Sequence, residues 1–297
     1  MSDDARMYWR SPELGEQREV DVPGGRIRVF ERGEGRPIVF AHGVVVNANL
    51  WRKVVPDLSK SNRCITLDLP LGSHELPMRD DADLGAPGLA SIIASALAAL
   101  DLEDAILVGN DSGGAITQIV ATRHPERLGG IVLTSCDAFE HFPPGMFAYL
   151  KVFRHLPGAT IPLFFGGLRL RVLRRIPIAY GWLAKRPIDR QAEDTYVLPV
   201  LSNKKVRADL RRALGAFDKQ QTLEAASRLG EFEGDALIAW SREEKVFPTE
   251  DAERLAKCLR NARLEWIDDS YTFSPEDNPT RLAQLIGEFV AAPATVG

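Results

Sequence analysis

The sequence predicts an α/β fold with a mostly parallel eight-stranded sheet flanked by helices, and three observations carry that prediction. Short apolar runs of strand length alternate with segments of helical periodicity, the pattern left by parallel strands joined through crossover helices. Most of those runs are apolar throughout, as strands covered on both faces must be. The alternation halts after Asp137 and resumes after Gly230, so residues 138–230 are expected to form a helical cap inserted into a core of residues 1–137 and 231–297.

The stretch Glu19 to Glu31 alternates apolar and polar residues around Gly24-Gly25 and predicts a hairpin. Pro37 to Gly43 is a buried strand ended by glycine, and Leu50 to Leu58 a short helix. Arg63 to Leu69 is the next strand. A loop punctuated by Pro70, Gly72, Pro77, Gly85 and Pro87 leads to an alanine- and leucine-rich helix from Leu89 to Leu100. Ala105 to Gly109 is a strand that turns through glycines into a helix ending near His124-Pro125, and Gly130 to Ser135 is a further strand. The insertion is helical, broken by prolines and Gly-Gly pairs. Beyond it come the strand Ala236 to Trp240, the helix Glu250 to Leu259, the strand Ala262 to Ile267 and a closing helix from Thr280 to Phe289.

At 297 residues, with 45% hydrophobic and 26% charged content, the chain can bury a sizeable core. No run of about 18 uncharged apolar residues is present, and the N-terminus lacks the basic-then-apolar pattern of a secretion signal, so no membrane partner and a cytoplasmic location are expected. The net charge is −4, and neither a stacking-aromatic nor a zinc-finger pattern is present, so nucleic acid is not an expected partner. Cys64, Cys136 and Cys258 have no metal-ligand spacing and are expected to be reduced packing residues; neither a metal nor an organic cofactor is indicated. The insertion is basic, with 16 Lys plus Arg against 7 Asp plus Glu, which a solvated helical face or a funnel for an acidic substrate would explain.

The chemistry is concentrated in Gly109-Asn110-Asp111-Ser112-Gly113. A nucleophile elbow needs small residues two places to either side of the reactive one, because the helix packs straight back on the strand. That spacing centres on Asp111. Centring it on Ser112, as an esterase would, puts Asn110 and Gly114 at the flanks, and asparagine is bulky for such a turn.

The element order, His42-Gly43 after the third strand, the elbow and the insertion after the sixth strand together resemble the α/β-hydrolase fold from about Glu19 to Val290. With aspartate at the elbow, the branches it resembles are haloalkane dehalogenases and epoxide hydrolases. That resemblance implies a carboxylate that attacks carbon and forms an ester later hydrolysed by water. It implies oxyanion-binding N–H groups on Val44 and Ser112. It assigns the acid after the seventh strand to Glu244, with Glu243 and Asp137 as alternatives, and gives His42 a structural part in the oxyanion turn. Dehalogenases tend to follow the nucleophile with tryptophan or arginine, where this chain has Ser112.

The resemblance also implies a histidine after the eighth strand, and its position falls on Thr272, whose hydroxyl is no base near neutral pH. The five histidines are His42, His74, His124, His141 and His155, none beyond residue 155. Three readings follow: a hydrolase with a relocated base, for which His74 and His141 are candidates; a lyase, dehydratase or isomerase with Asp111 itself as base; or a catalytically silent binding protein. The expected partner in each is a hydrophobic small molecule, held between sheet edge and cap against aromatics drawn from Phe139, Phe142, Phe147, Tyr149, Phe164, Phe165, Tyr180 and Trp182.

Overall fold

Eight strands pair in the order β1-β2-β4-β3-β5-β6-β7-β8: β1 is Glu16–Val22, β2 Gly25–Arg32, β3 Arg36–Ala41, β4 Asn62–Asp68, β5 Ala105–Asp111, β6 Leu128–Cys136, β7 Asp235–Ser241 and β8 Ala262–Ile267. This computed structural model describes residues 3–155 and 160–292. β1 and β2 are antiparallel, β2 is antiparallel to β4, and the ladder from β4 through β8 is parallel. All seven residues of β5 are buried, which explains the unbroken apolar run from Ala105 to Gly109 ahead of Asn110 and Asp111.

Side chains of successive residues leave a strand on opposite faces, and β6 and β7 serve two separate apolar layers in this way. Val132, Leu237 and Ala239 pack with Leu282, Leu285 and Ile286 of the helix Pro279–Ala291. Ile131, Leu133, Ile238 and Trp240 pack with Ala252 and Leu255 of the helix Thr249–Cys258. Each fully buried aliphatic or aromatic side chain contributes about 1.5–3 kcal/mol, so the sheet's central strands are its most strongly held part.

Between β6 and β7 every described element is helical. The longer ones start where the sequence supplies caps. Asp189 accepts from the Gln191 and Ala192 N–H groups at 2.9 and 3.2 Å ahead of the helix Arg190–Ser202. Asn203 caps the helix Lys204–Ala216, and Asp218 with Gln221 forms a capping box for the helix Lys219–Arg228. The segment is fastened to the loop after β8: the Phe273 N–H donates to the Leu183 carbonyl at 2.7 Å, and Asp277 accepts from the Lys185, Arg186 and Tyr271 N–H groups at 2.8–3.0 Å.

Element boundaries depart from the sequence expectation where prolines and caps decide. The helix expected over Leu50 to Leu58 is two pieces, a 3-10 turn Ala48–Trp51 and a single turn Val55–Leu58, because Asn47 caps the first and Pro56 has no N–H to extend it backward. The helix expected from Leu89 starts at Ala86, since Pro87 is tolerated in a first turn. β5 runs on to Asp111 itself.

Candidate active site

The chain reverses at Asp111 with φ 56° and ψ −133°, passing directly from β5 into the helix Ser112–Arg123. A non-glycine residue held there carries about 1–3 kcal/mol of strain, which persists only where the surroundings enforce it. They do so through close backbone approach. A Cβ on Gly109 would stand 2.5 Å from Thr117 Oγ1 and 2.6 Å from the Gly113 carbonyl oxygen, so strand and helix can meet only over glycine. On the other side, a Cβ on Gly43 would overlap the Asp111 carboxyl itself, so the acid lies flat against that turn.

Asp111, Ser112, Val44 and Val45 form the sheet side of a cavity of about 210 Å³, below the usual 300–1,000 Å³ of drug-sized ligand sites. The rest of the wall comes from the helical segment: Pro143, Pro144, Phe147, Tyr149, Phe165, Leu168, Leu173, Ile176, Ile178, Tyr180, Leu183, Leu210, Leu214 and Phe217 among others. Of the expected aromatics, Phe147, Tyr149, Phe165 and Tyr180 line it. Phe139 and Phe142 do not; Phe139 lies beneath the Arg254 guanidinium, and Phe142 packs on Phe217 with ring centroids 4.7 Å apart. Trp182 is exposed, and the side chain of Phe164 lies outside the described residues. Sequence reading missed Leu210, Leu214 and Phe217, although Leu210 and Leu214 stand four apart on one helical face, the signal that could have found them. The Tyr180 hydroxyl donates to the Val45 carbonyl at 2.7 Å and fixes the turn beneath it; Val45 itself holds φ 54°.

Two further buried carboxyls, Asp137 and Glu244, stand near enough to Asp111 to interact with it electrostatically. β6 pairs Cys136 with Asp111, so Asp137, the next residue, stands beside the elbow; it is fully buried and neither of its side-chain oxygens has a hydrogen-bond partner among the described residues. Burial and the Asp111 charge push its pKa well above the carboxylate range, opposed by the nearby Ser112 hydroxyl. Ser112 Oγ also lies 3.5 Å from Asp111 Oδ1. Burial raises the Asp111 pKa to about 7 and the Glu244 charge adds to that, while the Ser112 N–H and hydroxyl work against both.

Glu244 is the acid after β7 and carries its carboxyl inward. Its Oε1 accepts from the Lys245 and Val246 N–H groups at 2.9 Å and from the Thr272 hydroxyl at 2.6 Å, while Oε2 is buried without a partner among the described residues; burial raises its pKa. Thr272 thus occupies the place beside the acid, and its carbonyl accepts from Asn110 Nδ2 at 2.8 Å, tying the loop to the elbow. The alternative Glu243 faces outward to Lys185 at 2.6 Å.

Among the described residues no histidine lines the cavity. His74, proposed from sequence as a relocated base, is committed elsewhere: Nε2 meets Asp209 at 3.0 Å and Nδ1 accepts from the Gly72 N–H at 3.3 Å. His141, the other candidate, binds Asp251 at 2.6 Å, next to Arg254. Both acids belong to helices remote in sequence, which capture the loop imidazoles before they can reach the elbow. His42 is fully buried; Nε2 accepts from the Leu69 N–H at 2.9 Å, so Nδ1 carries the proton and donates to the Gly43 carbonyl at 2.8 Å. Burial holds its pKa down to about 4. A neutral ring that braces the glycine turn is a structural part.

The sequence profile of the alpha/beta hydrolase fold family matches residues 36–279. The chain belongs to that family. It is 29% identical over 297 residues to the 2-hydroxymuconate semialdehyde hydrolase of Pseudomonas sp. (strain CF600), covering 95% of each chain. It superposes on the solved structure of the epoxide hydrolase CorEH without ligand with a TM-score of 0.77 at 16% identity, covering 93% of this chain and 98% of that one. The haloalkane dehalogenase DbeA from Bradyrhizobium elkani USDA94 gives a TM-score of 0.76 at 18% identity, covering 93% and 97%. At such identities the solved structures share the fold.

Proposed function

We propose that this chain hydrolyses a small apolar electrophile, of the epoxide class, through covalent attack by Asp111, with residues 138–230 acting as the lid over the site. The observation that carries this reading is a carboxyl on a strained strand-to-helix turn at the wall of an otherwise apolar cavity. Attack by the ionised Asp111 carboxylate on a ring carbon breaks the C–O bond, forms an ester and leaves an alkoxide. Val44 and Ser112, by their backbone N–H groups, are the oxyanion donors for the later ester hydrolysis.

An imidazole is not needed if the buried acids hold the proton. Asp137, protonated while Asp111 is charged, releases its proton through the Ser112 hydroxyl to the alkoxide. Esterification has by then removed the Asp111 charge that favoured that protonation. The Asp137 carboxylate then takes a proton from water by the same route, hydroxide attacks the ester carbonyl, and Asp111 carboxylate, protonated Asp137 and a diol result. An epoxide suits this better than a haloalkane, because its leaving oxygen accepts the stored proton, whereas halide needs donors aimed at it, and the Tyr149 and Tyr180 hydroxyls donate to the Ile178 and Val45 carbonyls.

Intact-mass measurement after exposure to a short terminal epoxide tests this. The wild type should form diol; Asp111→Asn should do neither chemistry nor labelling; Asp137→Asn should accumulate an adduct on Asp111 and turn over at least about 100-fold more slowly. Unchanged turnover in Asp111→Asn sinks the proposal. A second reading, Asp111 as general base of an isomerase or lyase, is favoured by its pKa of about 7; turnover that depends on Asp111 without any adduct in Asp137→Asn would select it.

A further inference from the structure

Residues 141–188 contain eight Lys and Arg and no Asp or Glu. Among the described residues, the large apolar side chains left exposed are Val152, Leu170, Val172, Ile178 and Trp182, and all five fall within that stretch. Leu170 and Val172 are 63% and 74% exposed, on either side of Arg171 at the start of a short helix. Such clustering on a folded chain marks a contact surface rather than the usual scatter of surface apolar residues.

Part of the positive charge is answered by acids of neighbouring elements: buried Arg174 by Glu193 and Asp194, Arg171 by Asp194, Lys185 by Glu243 and Asp269, and Arg186 by Asp269. Arg169 and Arg175 are exposed and have no acidic partner among the described residues; Arg175 donates only to the Lys185 carbonyl. The same stretch turns Leu168, Leu173, Ile176 and Ile178 toward the cavity. Its outer face is apolar and cationic, and its inner face is the wall of the site.

We propose that this rim docks the protein on an anionic lipid surface, Leu170, Val172 and Trp182 entering the interface and Arg169 and Arg175 meeting lipid phosphates, so that apolar substrates pass from the bilayer to the cavity. Charge complementarity selects this occupant. A second copy would present the same unneutralised arginines across a twofold contact, where like charges oppose. Tryptophan beside arginine at an apolar edge is the composition that bilayer interfaces favour, and a peripheral site of this kind requires no spanning segment. Among the described residues no helix is long and apolar enough to cross a membrane.

Co-sedimentation of the full chain with vesicles of phosphatidylcholine alone, and of phosphatidylcholine mixed with phosphatidylglycerol, decides the matter without reference to catalysis. Binding is expected to the mixed vesicles, with a blue shift of tryptophan emission that Trp182→Phe removes. Salt should weaken it. Arg169→Glu and Arg175→Glu should each reduce it by about fivefold or more, and the double variant Leu170→Asp with Val172→Asp should abolish it while keeping the wild-type thermal transition. No binding, equal binding to both vesicle types, or a double variant that binds as before overturns the proposal. So does a dimer that those substitutions convert to monomer, which would make the patch a contact between copies.

Discussion

At Asp111 a single side chain carries opposing demands, because the turn that exposes it to the cavity also strips it of water. Its folded-state pKa of about 7 stands above the ordinary 3.8, so the fold favours the protonated acid. The associated stability is fully present below the unfolded pKa and is lost as pH rises through the folded one, that is between about pH 4 and pH 7. Asp111→Asn removes this pH-dependent loss. Chemical denaturation should therefore find the variant more stable than wild type at pH 8, by at most about 4 kcal/mol for a shift of this size, with little difference at pH 4. Equal differences at both pH values would show that the carboxyl titrates normally. Thr272 invites the reverse experiment. Its hydroxyl already sits 2.6 Å from Glu244 Oε1, so Thr272→His sets an imidazole beside an acid. We expect the Asp111 ester to be released faster in a mass time course, at a cost of about 1–3 kcal/mol from overfilling a fully buried site.

At the scale of elements, the cavity rim is held to the helix Arg190–Ser202 by one buried cation. Arg174 reaches Glu193 at 3.0 Å and Asp194 at 2.7 Å, and its Nε donates to the Leu168 carbonyl at 2.7 Å. Arg6 shares Asp194 and brings the N-terminal segment into the same knot. Removing one member of a buried ion network leaves the others desolvated and unpaired, typically at a cost of 3–5 kcal/mol. Arg174→Met should lower stability by about 3 kcal/mol, the low end because Arg6 still serves Asp194, and should speed amide hydrogen exchange over residues 168–181 more than in β5. Uniform acceleration across both would mean that the knot supports the whole fold and not the rim. The helix caps at Asp189, Asn203 and Asp218 are short polar residues placed directly ahead of helical runs, a local pattern. The knot leaves no such pattern, since Arg174 and its partners are ordinary surface types until the fold brings them inside.

For the molecule as a whole, what could be read from sequence was whatever repeats at short range. Strand and helix periods, the glycines beside Asp111 and His42-Gly43 all impose local geometry, and they led to the sheet, the elbow and the turn facing it. Long-range partnerships left no such trace. His74 meets an acid 135 residues away and His141 one 110 residues away, and nothing near either histidine announces it. The approach of Asp137 to Asp111 depends on the register between β5 and β6. The wall contributed by Leu210, Leu214 and Phe217 depends on how a helix folds back over the sheet.

The loop after β8 completes the picture. The stretch from Tyr271 to Asp277 acts as a buckle, since Phe273 and Asp277 hydrogen-bond to Leu183, Lys185 and Arg186 and hold that flank together. On this flank the helical segment and the sheet therefore share one set of hydrogen bonds, so that displacement of either is felt by the other.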